Sequence, residues 1–210
     1  MLTDLSCSDF AKELAAKKPV PGGGGAAALA GALGAALNSM VANYSLGKKK
    51  LLDYEKQHMD ILTRGEKLRL DLLELINKDA ESFEPLSRAY TMASETDEQK
   101  QSKEKELQKC LKEACNAPLE TLRLSYQCIL LHEELVDISS KTIISDVGVG
   151  VQLLKAALNS AYLNILINLN SISDEDYVKT NNEASQKLLE DGIKRADAVY
   201  EKVTDILTGR

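Results

Sequence analysis

Residues 19–37 read PVPGGGGAAALAGALGAAL, from Pro19 to Leu37. Two prolines within three residues stop whatever helix precedes them, because a residue before proline is pushed out of the α region. Four glycines follow, and then Ala27, Ala28, Ala30, Gly31, Ala32, Gly34, Ala35 and Ala36 leave little side-chain bulk. Extended onward, Ala26 to Leu46 reads as one helix. Small residues on several faces let neighbouring backbones approach closely all round, so this helix is expected to be the central, most buried one. Its most apolar part, Ala26 to Leu37, is shorter than the roughly 20 apolar residues of a membrane span.

Working outward, Ser6 with Asp9 three residues on marks the start of a first helix, with Phe10 and Leu14 facing inward. Downstream, Leu51 to Ala93 keeps a helical period through Ile61, Leu68, Leu72, Ile76 and Phe83, with Pro85 as a kink or a break. Thr96 and Gln99 form a capping box for a helix from Asp97 to Ile138, bent at Pro118. Ser139 to Ile144 reads as a loop. Ser145-Asp146 are expected to cap a helix to about Ser171, and Ser173 with Asp176 to cap the last one. No period-two alternation persists. The expected fold is all-α: a single multi-helical bundle domain over residues 1–210. With 44% hydrophobic but only 4% aromatic residues, its core must come from Ala, Leu, Ile and Val. So few large residues cover the Ala/Gly-rich helix only thinly, which points to a dimer whose two-fold partner supplies the rest.

The net charge of −6 argues against a partner made of nucleic-acid phosphates. Cys7, Cys110, Cys115 and Cys128 show no CxxC pair or framework spacing and read as reduced thiols. Met1 to Asp9 lacks the apolar core of a signal peptide, so a cytoplasmic setting is expected, with no membrane.

Several residues carry two readings. Gly22 to Gly25 open a helix, where free N–H groups attract anions, or simply let two helices touch. Lys48-Lys49-Lys50 complement a helix C-terminus, or clamp carboxylates. Asp79 falls near the face of Ile76 and Phe83: either a solvated acid, or an inward carboxyl with a raised pKa fit for proton transfer. Asn164 and Asn168 lie four apart on an apolar helix and need partners, from a ligand or from another helix end. Tyr44 and Tyr162 stack on a ring or fill core. Glu55-x-x-His58 has half the spacing of a di-iron helix motif, but His132 supplies no second copy, so no metal site is expected.

The glycine-alanine stretch resembles the opening signature of the cyclodeaminase/cyclohydrolase family. The resemblance continues at Gly47-Lys48-Lys49-Lys50, Asp79-Ala80-Glu81-Ser82-Phe83, Ala117-Pro118-Leu119-Glu120, Ser145-Asp146-Val147-Gly148-Val149 and Asn164-Ile165-Leu166-Ile167-Asn168-Leu169. These blocks span nearly the whole chain. The sequence departs from the pattern in having Gly25 for a serine, Ser139-Ser140 for a Gly-Asn pair, and no proline after Tyr90.

The resemblance implies a helical homodimer that binds a tetrahydrofolate derivative, possessing no cofactor beyond that substrate. Asp79 and Asp146 are then the candidate catalytic residues. Gly22, Gly23, Gly24, Lys48, Lys49, Ser145, Asn164 and Asn168 are the candidate substrate contacts, the lysines for a glutamate or polyglutamate tail. The family carries two chemistries. The first expected here is formiminotetrahydrofolate cyclodeaminase, an ammonia lyase forming 5,10-methenyltetrahydrofolate. The second is methenyltetrahydrofolate cyclohydrolase, a hydrolase forming 10-formyltetrahydrofolate. A third reading is a folate-binding helical dimer without turnover.

Overall fold

In a computed structural model, which describes residues 1–210, the chain forms six α-helices and no strand. They are α1 (Cys7–Ala15), α2 (Gly23–Ser45), α3 (Glu55–Tyr90), α4 (Asp97–Ile138), α5 (Ile144–Leu169) and α6 (Glu175–Thr208). Short 3-10 turns at Leu2–Asp4, Lys49–Tyr54 and Lys141–Ile143 join or precede them. Local chemistry explains the clean starts. Ser6 Oγ accepts the Asp9 N–H at 3.1 Å, and the Thr96–Gln99 box closes in both directions.

Several boundaries differ from the sequence reading: α2 starts at Gly23 and not Ala26, and α3 at Glu55 and not Leu51. Pro85 lies inside α3 and does not break it, whereas α4 runs from Asp97 to Ile138 through Pro118 as the sequence reading expects. The last helix is capped by Asp174, whose Oδ1 accepts the Tyr177 N–H at 3.0 Å, and not by Ser173. Ser173 instead donates its own N–H to Gln108 Oε1 on α4, at 2.8 Å. Ser145 and Asp146 do not cap α5. They sit inside its first turn, after Ile143, where an acid still favours the positive end of the helix dipole.

α2 packs against α3, α5 and α4. It runs antiparallel to α5: Gly23 meets Asn164, Gly34 meets Gly150 and Leu154, and Ser45 meets Ser140. Glycine permits the middle crossing, since a Cβ on Gly34 would stand 2.6 Å from Leu154 Cγ. At 23 residues, α2 is long and apolar enough to cross a bilayer by length and composition alone, so the length argument against a span does not hold for the whole helix. Of its apolar window, 61% is packed inside the protein.

His132 on α4 sits at this crossing. Its ring is fully buried, with Nε2 3.0 Å from the Gly34 carbonyl and no partner for Nδ1. Burial pushes its pKa down to about 4. The folded protein therefore leaves His132 neutral while the unfolded chain takes up a proton near pH 6.5. The stability it contributes is complete above that pH and is lost as pH falls through about 4. The full loss is about 3 kcal/mol. Urea unfolding of wild type and His132→Gln at pH 7 and pH 4 checks this. The variant keeps an N–H for the Gly34 carbonyl but cannot titrate, so it should lose less stability on acidification. An equal loss in both places the acid sensitivity elsewhere.

Candidate active site

A cavity of about 140 Å³ lies where the start of α2 meets the middle of α3 and the end of α5. Gly22, Gly23 and Gly24 line it, with Asp79, Asn164 and Asn168. Six of the ten candidate residues are thus brought together from segments far apart in sequence. Each arrives for a local reason. Gly22 is the N-cap of α2, so the first-turn N–H groups have no partner within the helix. Asp79 follows one turn after the buried Ile76 on α3, which turns its carboxyl toward that helix start. Asn164 and Asn168 share a face of α5.

The contact between Gly24 and Asp79 sets the geometry. A Cβ on Gly24 would fall 2.1 Å from Asp79 Oδ1, so only glycine lets the carboxyl lie against the α2 backbone. Burial raises the Asp79 pKa, and the Gly25 N–H facing the carboxyl opposes it in part. The anion partner of this helix terminus within the chain is therefore the protein's own carboxyl. Gly25 is itself buried, with Asp79 Oδ2 3.9 Å from where its Cβ would be. The absent serine is a hydroxyl missing from the Asp79 surroundings.

The asparagines donate back into the protein. Asn164 Nδ2 reaches the Ser160 carbonyl at 2.8 Å, and Asn168 Nδ2 the Ala114 carbonyl at 3.4 Å. Their side-chain oxygens remain as acceptors. No lysine or arginine lines the cavity. Its polar side chains are thus one carboxyl, two amides and the Ser82 hydroxyl, which donates to the Asp79 carbonyl at 3.0 Å. Such a lining suits a cationic, planar nitrogen-bearing group, and Asp79 is the one titratable side chain there able to take and return a proton.

Four candidates lie elsewhere. Lys48 follows the far end of α2, where its Nζ donates to Ser140 Oγ at 2.6 Å and Thr142 Oγ1 at 3.3 Å. Ser140 N–H in turn donates to Ser45 Oγ at 3.3 Å. One of the two serines that replace the Gly-Asn pair therefore holds Lys48 in place. Lys49 is exposed beside it. Ser145 lines a groove between α5 and α6 with Tyr200 and Val203, and Asp146 is half-buried in the same first turn. At 1.5 Å per residue, the length of α2 separates this end from Asp79 by roughly 33 Å.

Some cavity residues escaped the sequence reading as site candidates. Ser82 and Phe83 fall three and four residues after Asp79, and Ile167 three after Asn164, so helical spacing alone places them on the same faces. Pro19 and Val20, from the segment before α2, line the cavity together with Phe83. Tyr44 is exposed, and Tyr162 is half-buried with its hydroxyl 3.2 Å from Asn182 Oδ1. His58 is buried, its Nε2 3.0 Å from the Ile138 carbonyl.

Comparison with known proteins gives a consistent picture. A family model described as Formiminotransferase-cyclodeaminase matches residues 6–187. The chain is 37% identical over 194 residues to a methenyltetrahydrofolate cyclohydrolase of Methylorubrum extorquens, covering 92% of this chain and 93% of that one. It is 28% identical to the mouse formimidoyltransferase-cyclodeaminase over 94% of this chain, which spans 37% of that longer protein. A crystal structure of formiminotetrahydrofolate cyclodeaminase from Thermotoga maritima superposes with a TM-score of 0.83 at 32% identity, covering 100% of this chain and 98% of that one.

Proposed function

The chain belongs to the formiminotransferase-cyclodeaminase family, and from that premise we propose that it is a folate one-carbon enzyme, in the first place a methenyltetrahydrofolate cyclohydrolase. The observation that carries this reading is the cavity itself: a half-buried carboxyl among acceptor oxygens, with no cation. Methenyltetrahydrofolate presents an amidinium carbon between two nitrogens, and an acceptor-lined pocket stabilises that positive charge. Asp79 takes a proton from water as its oxygen attacks the carbon. It then returns that proton to the nitrogen whose bond to the carbon breaks, while the new hydroxyl loses its remaining proton to solvent as the formyl C=O forms, leaving 10-formyltetrahydrofolate and one free proton. A carboxyl whose pKa is raised serves both steps better than an ordinary one, because proton transfer works best with a group near the working pH.

The cyclohydrolase stands first because the Methylorubrum enzyme combines the 37% identity with matching length. The cyclodeaminase, expected first from the sequence, keeps support from the Thermotoga structure of similar length. There the attacking group is a folate nitrogen and ammonia leaves, with the same single proton shuttle. The test offers purified protein each folate and follows methenyltetrahydrofolate by absorbance. Its consumption with water identifies the cyclohydrolase. Its appearance from the formimino substrate, with ammonia, identifies the cyclodeaminase. Binding without either change leaves a folate-binding protein. Four free thiols, three of them buried, suit a reducing compartment such as the cytosol.

We further propose a homodimer formed through α2 and α5. The outward sides of these helices carry Leu33, Met40 and Tyr44 on α2, and Val149, Leu163 and Ile167 on α5, the last two 66% and 65% exposed. From Gly23 to Ser45 there is no charged residue. The face is about 33 Å long and two helices wide, or about 700 Å², close to what one partner contributes to a stable interface. An uncharged patch of that size is rare on a monomer. Sedimentation across a wide dilution range should give a dimer; a folded monomer at low concentration, with full activity, rules it out.

A further inference from the structure

The candidate site is divided. Asp79, the glycines and both asparagines lie at one end of the α2/α5 pair, and Lys48 lies at the other, roughly 33 Å away along the helix. The cavity holds only about 140 Å³. That is room for the reacting part of a folate and not for the whole molecule, whose glutamate carboxylates must then lie outside it. No lysine or arginine lines the cavity to meet them. The cavity reaches the uncharged face through Ile167, which lines the one and is exposed on the other.

Two limiting directions of the two-fold axis frame how a second copy docks on that face. With the two-fold axis along the helices, like ends meet, and the ends that carry Lys48, Lys49, Lys50 and Lys141 come together. Like charges set opposite one another across an interface are costly. With the axis across the helices, the ends exchange. The lysine end of one copy then covers the cation-free cavity of the other, and the N-terminus of each α2 lies beside the C-terminus of its partner, the favourable order of helix dipoles.

We infer that each site is completed in trans, with Lys48 of the partner subunit supplying the cation for the substrate's glutamate carboxylates. The inference rests on the folate reading and the dimer above. Lys48 is suited to this role more than Lys49 or Lys50. It is half-buried and fixed by Ser140 and Thr142, whereas the other two are exposed. A cation already held in one orientation loses less freedom on binding.

The test is complementation between differently tagged chains, co-expressed and purified as heterodimers. Lys48→Gln keeps a group that can hydrogen-bond Ser140 but removes the charge, and as a homodimer it should raise KM about 10-fold or more with little change in kcat. A heterodimer of Asp79→Asn with Lys48→Gln keeps one intact site only if Lys48 acts across the interface. Its kcat/KM should then be about half that of wild type. If Lys48 acts within its own subunit, the sole site with Asp79 lacks it, and kcat/KM falls about 10-fold or more; that result, or an unchanged KM in the Lys48→Gln homodimer, overturns the inference. A second readout does not need turnover. In a Cys7→Ser background, Lys48→Cys with Ile167→Cys should give a disulfide-linked dimer on non-reducing gels, and neither single variant should. If wild type turns over neither folate, the functional reading fails, and this cross-link alone decides the placement: a linked dimer supports it and an unlinked chain overturns it.

Discussion

Asp79→Asn is expected to lower kcat by about 10²–10⁴, the usual worth of a general acid or base, while KM changes little. The substitution is nearly isosteric. The amide still fits against Gly24, where a Cβ would stand 2.1 Å from the wild-type oxygen, so the cavity keeps its shape. What disappears is the only titratable side chain in its lining. The same variant should be more stable than wild type at neutral pH. Burial raises the Asp79 pKa in the folded state. A carboxyl so shifted favours folding below its unfolded pKa, and that contribution is lost as pH rises through the folded value. Above it, the folded protein holds a charge at a cost that asparagine does not bear. Loss of activity with a gain in thermal stability at pH 7 separates a functional acid from a merely structural one. Near-wild-type turnover would move the proton-transfer role to Asp146. That residue lies at the lysine end of the bundle, so in a dimer whose ends exchange it too would act across the interface.

The helices were legible because their signals are local. A capping box needs four residues, and Thr96 with Gln99 sufficed to start α4. The glycine-alanine run sufficed to identify α2 as a helix closely approached by others. Ser173 and Asp174 show the limit of local signals. Both are good caps, they are adjacent, and a contact with Gln108 on another helix decides between them. The site was legible in its members and not in its partition. Faces and spacing left Asp79, Asn164 and Asn168 with two readings each, the resemblance made them candidates, and the cavity brings them to Gly22–Gly24. Lys48 was grouped with them through the resemblance, although the length of one uninterrupted helix already separates them in any single protomer. The packing of Asp79 on Gly24 joins residues 55 apart in sequence. No periodicity encodes that; it follows only from how α2 and α3 cross.

Gly150→Ala should destabilise the protein by about 3–4 kcal/mol, against the direction of helix propensity, which favours alanine over glycine by about 1 kcal/mol. Gly150 lies inside α5, where a Cβ would stand 2.4 Å from His132 Cε1 and 2.5 Å from Nε2. The ring has nowhere to go. It is fully buried, and moving it breaks the contact between Nε2 and the Gly34 carbonyl, leaving both groups without partners in the interior. Moving α5 away instead opens the crossing at Gly34 and Leu154 and shifts Asn164 from Gly23. Gly25→Ala is the control. It is also a helical glycine, but its Cβ would meet nothing closer than 3.8 Å. Thermal unfolding should place Gly150→Ala about 10 °C below wild type, with Gly25→Ala near it. The cause is isolated by a double variant. If the clash with the ring is responsible, His132→Ala and Gly150→Ala together should cost less than the sum of their separate effects, because the second change fills space that the first vacates. Strict additivity, or a Gly150→Ala protein as stable as the control, would mean that α5 yields without strain and that the three-helix junction does not fix its position.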